Sequence, residues 1–178
     1  MADPILAAVL DELHKLKRMA ERAMAQLRDE DFFFRLNGDQ NSVYVIVKHL
    51  AGNMRSRWTD FRTADGEKPD RNRDEEFVER TGVARAEIMA TWERGWACTF
   101  AAVGSVRPEE LGLELVRIRG ERMTVFAAIN RQTSHYAYHV GQIVLLAKHV
   151  RGADWQYLTI PRGQSEQYNR RAFGQAST

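Results

Sequence analysis

The chain has 178 residues, of which 44% are hydrophobic and 28% charged, a composition that excludes an intrinsically disordered chain, a collagen-like fibre and a coiled-coil rod. At this length one domain buries enough surface to be stable without a disulfide or a structural metal, so any bound metal is expected to be functional. The 26 basic and 24 acidic residues give a net charge of +2 without a dominant basic block, and we predict no nucleic-acid partner.

The first helix is predicted to begin at Asp3 and Pro4. The Asp side chain can accept a free amide hydrogen, and proline has no amide hydrogen to leave unpaired at the first helical position. Apolar residues at three- and four-residue spacing continue this helix to about Arg28. Because Asp11 and Glu12 interrupt the apolar stretch and no basic leader precedes it, we expect no export signal, no transmembrane helix and no membrane partner.

Two further helices are predicted in the middle of the chain. The second helix carries His49 on its apolar face and stops near residues 63–70, where glycine and proline break the pattern. Residues 71–77 restart a helix with acidic side chains in its first turn, where the helix dipole favours them. Thr81 and Gly82 then separate this short helix from a long third helix that reaches Val103.

The fourth helix is predicted from Thr124 to about Arg151, with basic residues in its last turn. Before it, the alternating residues around Arg119 and Gly120 indicate a short hairpin or an extended connector. After it, four residues are predicted to be anchors against the core: Trp155, Tyr157, Leu158 and Ile160.

Four amphipathic helices with moderate connections favour one all-α domain, because each apolar stripe needs partners around a shared core. We predict a four-helix bundle over residues 1–169, with a short irregular or hairpin connector before the last helix. Residues 170–178 are predicted to be a flexible C-terminal tail.

Cys98 is the single cysteine, so the chain cannot form an internal disulfide. This is typical of a protein in a reducing compartment, and we expect a cytoplasmic location. Cys98 follows Trp96 and precedes Phe100 on an apolar stripe, which favours a core residue over a nucleophile.

His135 and His139 form the strongest candidate for a chemical site. A spacing of four residues on one helix places both imidazoles on the same face, about 6 Å apart at their Cβ atoms, so both can reach one cation. His49, on the apolar face of the second helix, can add a third nitrogen and leave a position for water or substrate. On spacing alone, hydrogen-bonded core histidines explain the pattern equally well.

The other candidates are weaker. His14 lies among charged residues and His149 near a helix C-terminus, so both are expected to have structural or surface roles. The run around His135 lacks the glutamate of an HExxH protease, paired ExxH motifs for a di-iron site are missing, and the chain has neither a P-loop nor a GxSxG motif.

Three polar residues are predicted near the histidines because of their helical spacing. Asn53 follows His49 by four residues, Gln142 follows His139 by three, and Arg131 precedes His135 by four. Each is a candidate contact to a metal ligand or to substrate, and each is equally well explained as an ordinary polar residue on a helix. No catalytic residue is predicted.

Four segments carry a resemblance to a known family: NSVYVIVKHLAGNMRSRWTDF, DGEKPDRNRDEEF, RQTSHYAYHVGQIVLLAK and WQYLTIPRGQSEQYN. Over residues 5–169 the chain resembles the DinB/YfiT-like superfamily, in its branch of small bacterial domains of unknown function. The resemblance implies a four-helix bundle, a homodimer and a divalent metal held by three histidines, here His49, His135 and His139. Better-understood relatives resemble thiol transferases and isomerases that use bacillithiol or mycothiol, but this branch differs in its loops, so their substrates do not carry over.

The resulting hypothesis is a metal-dependent enzyme that acts on a small molecule, with a thiol-dependent S-transferase as the first interpretation. A metal-dependent hydrolase and a non-catalytic, metal-binding dimeric scaffold are the alternatives. Zinc or nickel is the favoured metal, with a low-molecular-weight thiol as a candidate cosubstrate. Because imidazoles must be neutral to coordinate, metal binding is expected to weaken as the pH falls through about 6.5.

Overall fold

The computed structural model describes residues 3–174, and most of these are helical, as the all-α prediction expects. The described residues form five α-helices: α1 (Pro4–Met24), α2 (Val43–Trp58), α3 (Arg85–Gly104), α4 (Val125–Arg151) and α5 (Ser165–Phe173). Two short strands, β1 (Val116–Ile118) and β2 (Glu121–Met123), lie between α3 and α4. Across the described part of the chain, no helix combines the length and apolarity needed to cross a membrane.

Side-chain caps fix the starts of three long helices. The Asp3 carboxylate accepts hydrogen bonds from the backbone amides of Ile5 and Leu6, each at 3.0 Å. Ser42 at the start of α2 and Thr124 at the start of α4 cap their helices in the same way. Such caps satisfy amide hydrogens that have no partner in the first helical turn.

The first helix is shorter than predicted, ending at Met24 rather than at about Arg28. The backbone amide of Arg28 donates to the Asp31 carboxylate at 2.8 Å, and the Arg28 guanidinium bonds the same carboxylate. These local bonds stabilise a 3-10 turn over Glu30–Phe33 in place of another α-helical turn.

The predicted short helix at residues 71–77 is a single 3-10 turn, Asp74–Phe77. The interruption after it is present as predicted, because Gly82 has a φ of +79°, in the left-handed region that favours glycine. Helix α3 then begins at Arg85.

The four long helices surround the core. Helices α1 and α2 each pack against both α3 and α4. Trp92, Trp96 and Tyr136 are fully buried, and the Trp58 indole donates to the Tyr136 hydroxyl at 2.8 Å. Gly95 allows α2 and α3 to approach closely, since a Cβ there would lie 2.9 Å from the Cα of a residue on α2.

The connector before α4 is an antiparallel hairpin in which Val116 pairs with Met123. Arg119 and Gly120 form its turn with φ values of 54° and 82°, and positive values at both positions are typical of tight two-residue hairpins. Asp65, in the loop after α2, accepts hydrogen bonds from the backbone amides of Arg119 at 2.9 Å and Gly120 at 2.8 Å. The hairpin is thereby fixed beside the C-terminal end of α2.

The segment after α4 differs in part from its prediction. Trp155 and Leu158 pack against the core as predicted, but Tyr157 and Ile160 are exposed, so the prediction of four anchors is wrong for these two. The predicted tail begins within α5. An exposed ion pair between Glu166 and Arg170 joins the first and last turns of this helix, which buries no residue. Residues 175–178 lie outside the described residues, and the boundary at residue 169 stays a prediction.

Candidate metal centre

Three histidines from two helices meet at one point. His49 is on α2, and His135 and His139 are one turn apart on α4. The Nε2 atom of His135 lies 3.1 Å from Nε2 of His139 and 3.4 Å from Nε2 of His49. His49 and His139 are buried and His135 is half-buried, so the cluster is largely shielded from solvent.

Hydrogen bonds on the far side of two rings set their orientation. Nδ1 of His49 lies 2.9 Å from a Glu76 carboxylate oxygen, and Nδ1 of His139 lies 2.8 Å from the Gln142 side-chain oxygen. Both oxygens accept hydrogen bonds, which assigns the proton to Nδ1 and leaves Nε2 with a lone pair. Nδ1 of His135 is buried without a partner among the described residues.

The geometry fits a divalent cation. Two nitrogens each about 2.05 Å from a tetrahedral centre are about 3.3 Å apart. The two separations from Nε2 of His135 are close to this value, and one ring nitrogen from each histidine lies within 4.8 Å of the others. In a neutral cluster, the Nε2 lone pairs of His49 and His139 both face Nε2 of His135, which can donate at most one proton. One cation between them would satisfy all three nitrogens, and the bonded Nδ1 atoms are the arrangement that metal-binding imidazoles usually have.

Burial keeps two of these imidazoles neutral. It lowers the pKa of His135 to about 4, and the neighbouring imidazoles act in the same direction. Burial likewise lowers the pKa of His139 to about 4, although its bond to Gln142 opposes this. Both rings are therefore in the metal-binding form at neutral pH, and for these two ligands the expected weakening near pH 6.5 moves to lower pH.

Glu76 is the contact that the sequence analysis missed. It lies in the 3-10 turn after α2 and is buried against Arg71, whose Nε and Nη2 donate to its two oxygens at 2.8 and 2.9 Å. Burial alone would raise the pKa of Glu76, but the hydrogen bonds from His49 and Arg71 outweigh it and hold the pKa below its usual value. The carboxylate is thus charged where it supports His49.

Gly52 makes room for this carboxylate on α2. A Cβ atom at position 52 would lie 2.2 Å from a Glu76 carboxylate oxygen, far inside van der Waals contact. A glycine three residues after His49 in a helical pattern is a hint in the sequence that another group packs closely there, but it does not identify which side chain does so.

The profile of one protein family matches most of the chain. It is the family described as a protein of unknown function, DUF1572, and the match spans residues 1–164. The chain belongs to the DUF1572 family. Comparisons with curated proteins and with solved structures gave no match. The DUF1572 region contains the three histidines, Glu76 and Gly52.

Within the DUF1572 region, the three predicted polar residues lie around the histidines. Gln142 bonds His139, as described above. Asn53 is buried and Arg131 exposed, and both line a cavity of about 220 Å³ that also touches His49 and His135. The cluster therefore has one side against polar space, where a ligand can approach.

The remaining candidates of the DUF1572 chain lie elsewhere. His14 is exposed and stacks on Phe100 with ring centroids 4.0 Å apart, and the exposed His149 stacks on Phe34 at 5.4 Å. Cys98 is half-buried, with its sulfur 4.0 Å from a carbonyl oxygen of α2. Neither histidine joins the cluster, in agreement with the roles predicted for them.

Proposed function

We propose that this protein is a DinB/YfiT-like four-helix bundle that binds one divalent metal ion through His49, His135 and His139 and catalyses a thiol-dependent S-transfer. The convergence of three Nε2 atoms, with two of the rings fixed from behind by Glu76 and Gln142, carries the proposal. The bundle is supported by the packing of α1 and α2 against α3 and α4, and by the hairpin that precedes α4.

A divalent cation with three neutral imidazole ligands lowers the pKa of a coordinated water or thiol, so a nucleophile forms near neutral pH. Nitrogen ligands suit zinc and nickel, which are the metals we propose. The protein's own contribution is to bring three imidazole rings together, two of them oriented by Glu76 and Gln142, to shield them from bulk water and to offer a polar cavity beside His49 and His135. Asn53 and Arg131 in that cavity are proposed to bind the small-molecule substrate.

A metal-dependent hydrolase is the alternative reaction. Metal hydrolases commonly use a carboxylate beside the metal as a general base. In the described part of the chain, no acidic residue lines the cavity, and the one carboxylate near the cluster, Glu76, already accepts bonds from His49 and Arg71. This arrangement favours thiol chemistry over hydrolysis.

A non-catalytic scaffold is the second alternative, in which the metal only joins α2 to α4. Structural metal sites are closed by four protein ligands, whereas catalytic sites keep an open position. Three ligands with a cavity on one side favour the catalytic site. Removal of the metal from a catalytic site is expected to leave the helical circular dichroism and most of the melting temperature intact, while a structural site loses both.

The first test is the metal content of untagged protein purified without chelator, measured by plasma mass spectrometry. We expect about one equivalent per chain in the wild type, and loss of this metal in His49→Ala and His139→Ala with retained helical circular dichroism. His14→Ala is the matched control, because His14 is exposed and distant from the cluster, and it should keep its metal. A wild type that holds no metal even after incubation with zinc or nickel would refute the proposal.

The reaction itself is tested by supplying the metal-loaded protein with thiols and an electrophile. S-alkylation of a bacterial low-molecular-weight thiol above the rate of the His139→Ala protein supports the transferase. Hydrolysis of an ester or amide panel without thiol consumption would favour the hydrolase instead.

We also propose a homodimer, as the resemblance implies. Helix α4 exposes Tyr138 and Leu145, with 63% and 60% of their surfaces accessible, and their seven-residue spacing places both on one face. The Tyr138 ring lies 4.8 Å from the His139 ring, so a second copy on this face would also cover a metal ligand. Light scattering should give twice the chain mass, reduced to one chain mass by Leu145→Glu. A monomeric wild type would refute the dimer.

A further inference from the structure

The cavity beside the histidines is unusually basic for this chain. Five of the residues that line it are arginines: Arg57, Arg71, Arg73, Arg119 and Arg131. Among the described residues, no acidic residue lines it. The whole protein has a net charge of only +2, so this positive charge is concentrated locally. Clefts lined by one sign of charge attract ligands of the opposite sign.

Three of these arginines are paired with carboxylates nearby. Arg71 bonds both oxygens of Glu76. Arg57 and Arg119 each donate to Glu67 at 3.2 Å. Five guanidinium groups line the cavity, whereas three carboxylates contact these arginine residues: Glu67, Glu76 and Asp65, which bonds the backbone amide of Arg119. Positive charge therefore remains in excess around the cavity.

The other two arginines have no carboxylate partner among the residues that the structure describes. Arg73 lies over the Phe77 ring at 4.9 Å, and that ring in turn lies 4.8 Å from the His49 ring. Arg131 is on α4 one turn before His135. Two guanidinium groups without a carboxylate partner among the described residues thus line the cavity, one beside the ring that contacts His49 and one on the helix that carries His135.

The cavity also holds buried polar atoms that the protein does not satisfy. The side-chain oxygens of Asn53 and Gln132 have no hydrogen-bond partner in the described part of the chain. Both residues line the cavity and are only 6% and 4% exposed. Buried acceptor oxygens without a donor are costly, so these two indicate a ligand that donates hydrogen bonds to them.

We propose that this cavity binds a small organic anion, whose carboxylate or phosphate group pairs with Arg73 and Arg131 and whose hydrogen-bond donors bond the side-chain oxygens of Asn53 and Gln132. A volume of about 220 Å³ is below the range of pockets for drug-sized ligands, which limits the anion to a small molecule. Guanidinium groups bind carboxylates and phosphates with paired hydrogen bonds, and an anion held by them reaches His49 and His135. This inference rests on the proposed function, because it takes the anion to be the substrate of the same metal site.

The test compares thiols that differ in charge, by calorimetric titration of the zinc-loaded protein. The probes are 3-mercaptopropionate, its uncharged methyl ester and 2-mercaptoethyl phosphate. We expect the wild type to bind at least one of the two anions about tenfold more tightly than the ester. The anion that binds more tightly shows whether the arginines prefer a carboxylate or a phosphate group. Similar affinities for all three probes would overturn the inference.

Variants assign that preference to the arginines. The double variant Arg73→Gln/Arg131→Gln is expected to bind the anions no more tightly than the ester. Arg18→Gln removes an exposed arginine of α1 that does not line the cavity, and it should keep the tenfold preference. A preference that survives in the double variant would show that these arginines do not bind the anion.

The same samples separate this inference from the proposed function. If the ester binds zinc-loaded but not zinc-free protein and the anions gain nothing, the metal site stands and the anion site fails. If the protein holds no zinc but still prefers an anion through Arg73 and Arg131, the anion site stands and the proposed metal function fails.

Discussion

Two buried carboxylates, Glu76 beside the histidines and Glu110 in the segment between α3 and the hairpin, have almost the same arginine contact. Arg71 donates to the two oxygens of Glu76 at 2.8 and 2.9 Å, and Arg62 donates to those of Glu110 at 2.9 and 2.9 Å. Each is a paired guanidinium–carboxylate contact, the strongest form of ion pair between side chains.

The two carboxylates differ in their third partner. Glu110 accepts the backbone amide of Arg107 at 2.9 Å, which caps the 3-10 turn Pro108–Glu110 and holds the connector. Glu76 accepts Nδ1 of His49 at 2.9 Å. An arginine–carboxylate pair therefore does not by itself indicate a function. The third partner does: a carboxylate that bonds a backbone amide has a structural role, whereas one that bonds a histidine of the cluster belongs to the metal centre.

Among residues that do not themselves bind the metal, Gly52→Ala is expected to have the largest effect on zinc affinity. The new Cβ would lie 2.2 Å from a Glu76 oxygen, so the carboxylate must shift from its position against His49 and Arg71. We expect zinc binding, measured by competition with a chromophoric chelator, to weaken by about 100-fold, at the upper end of such effects. The free energy of unfolding should fall by about 1–3 kcal/mol because of overpacking. Gly104→Ala is the control, since nothing lies within 4 Å of its Cβ position, and zinc affinity there should be unchanged.

Glu76→Gln and Glu110→Gln test the comparison directly, because the same change is made in the same kind of pair. In Glu76→Gln the amide still accepts from His49 but turns its NH2 group towards Arg71, so the support of His49 weakens. We expect a loss of zinc affinity of about 10- to 100-fold. Glu110→Gln should bind zinc as the wild type does. Equal zinc affinities in both variants would remove the distinction between the two carboxylates.

Gln142→Ala is expected to have a smaller effect on zinc. It removes the acceptor for Nδ1 of His139, and the ring then loses one of the bonds that fix its orientation. Zinc affinity should fall by about tenfold, at the lower end of such effects. Gln142→Glu keeps an acceptor oxygen at the same place and should restore binding. Failure of the glutamate variant to do so would indicate that Gln142 acts on His139 through packing alone.

The sequence predicted the parts of this site that depend on local spacing. His135 and His139 share a helix face because of their four-residue separation, and the cap at Asp3 was evident from its residue type. The role of Glu76 could not be predicted, because Glu76 and His49 are 27 positions apart in the sequence. Glu76 also lies in a single 3-10 turn, where no periodic pattern indicates which side chain points inward.

The arginine cavity could not be predicted for a related reason. Its arginines come from α2, the following loop, the hairpin turn and α4, and along the chain they are spread among acidic residues that hide the local excess. Similarly, the early end of α1 depends on Asp31 bonding the Arg28 amide, a contact that competes with helix propensity and is visible only in three dimensions.

The pH dependence of stability gives the smallest and most specific test of the comparison. Hydrogen bonds from Arg62 and from the Arg107 amide lower the pKa of Glu110 to about 2 from the ordinary value of 4.5. A carboxylate with a lowered pKa in the folded state stabilises the fold fully above its unfolded pKa, and this contribution is lost as the pH falls from 4.5 towards 2. Glu110→Gln should therefore lower the melting temperature by several degrees at pH 7 and reduce its fall between pH 4.5 and 2. Because the zinc-free protein is used, a variant that melts with the wild-type pH profile would show that Glu110 is not the clamp, independently of the metal centre.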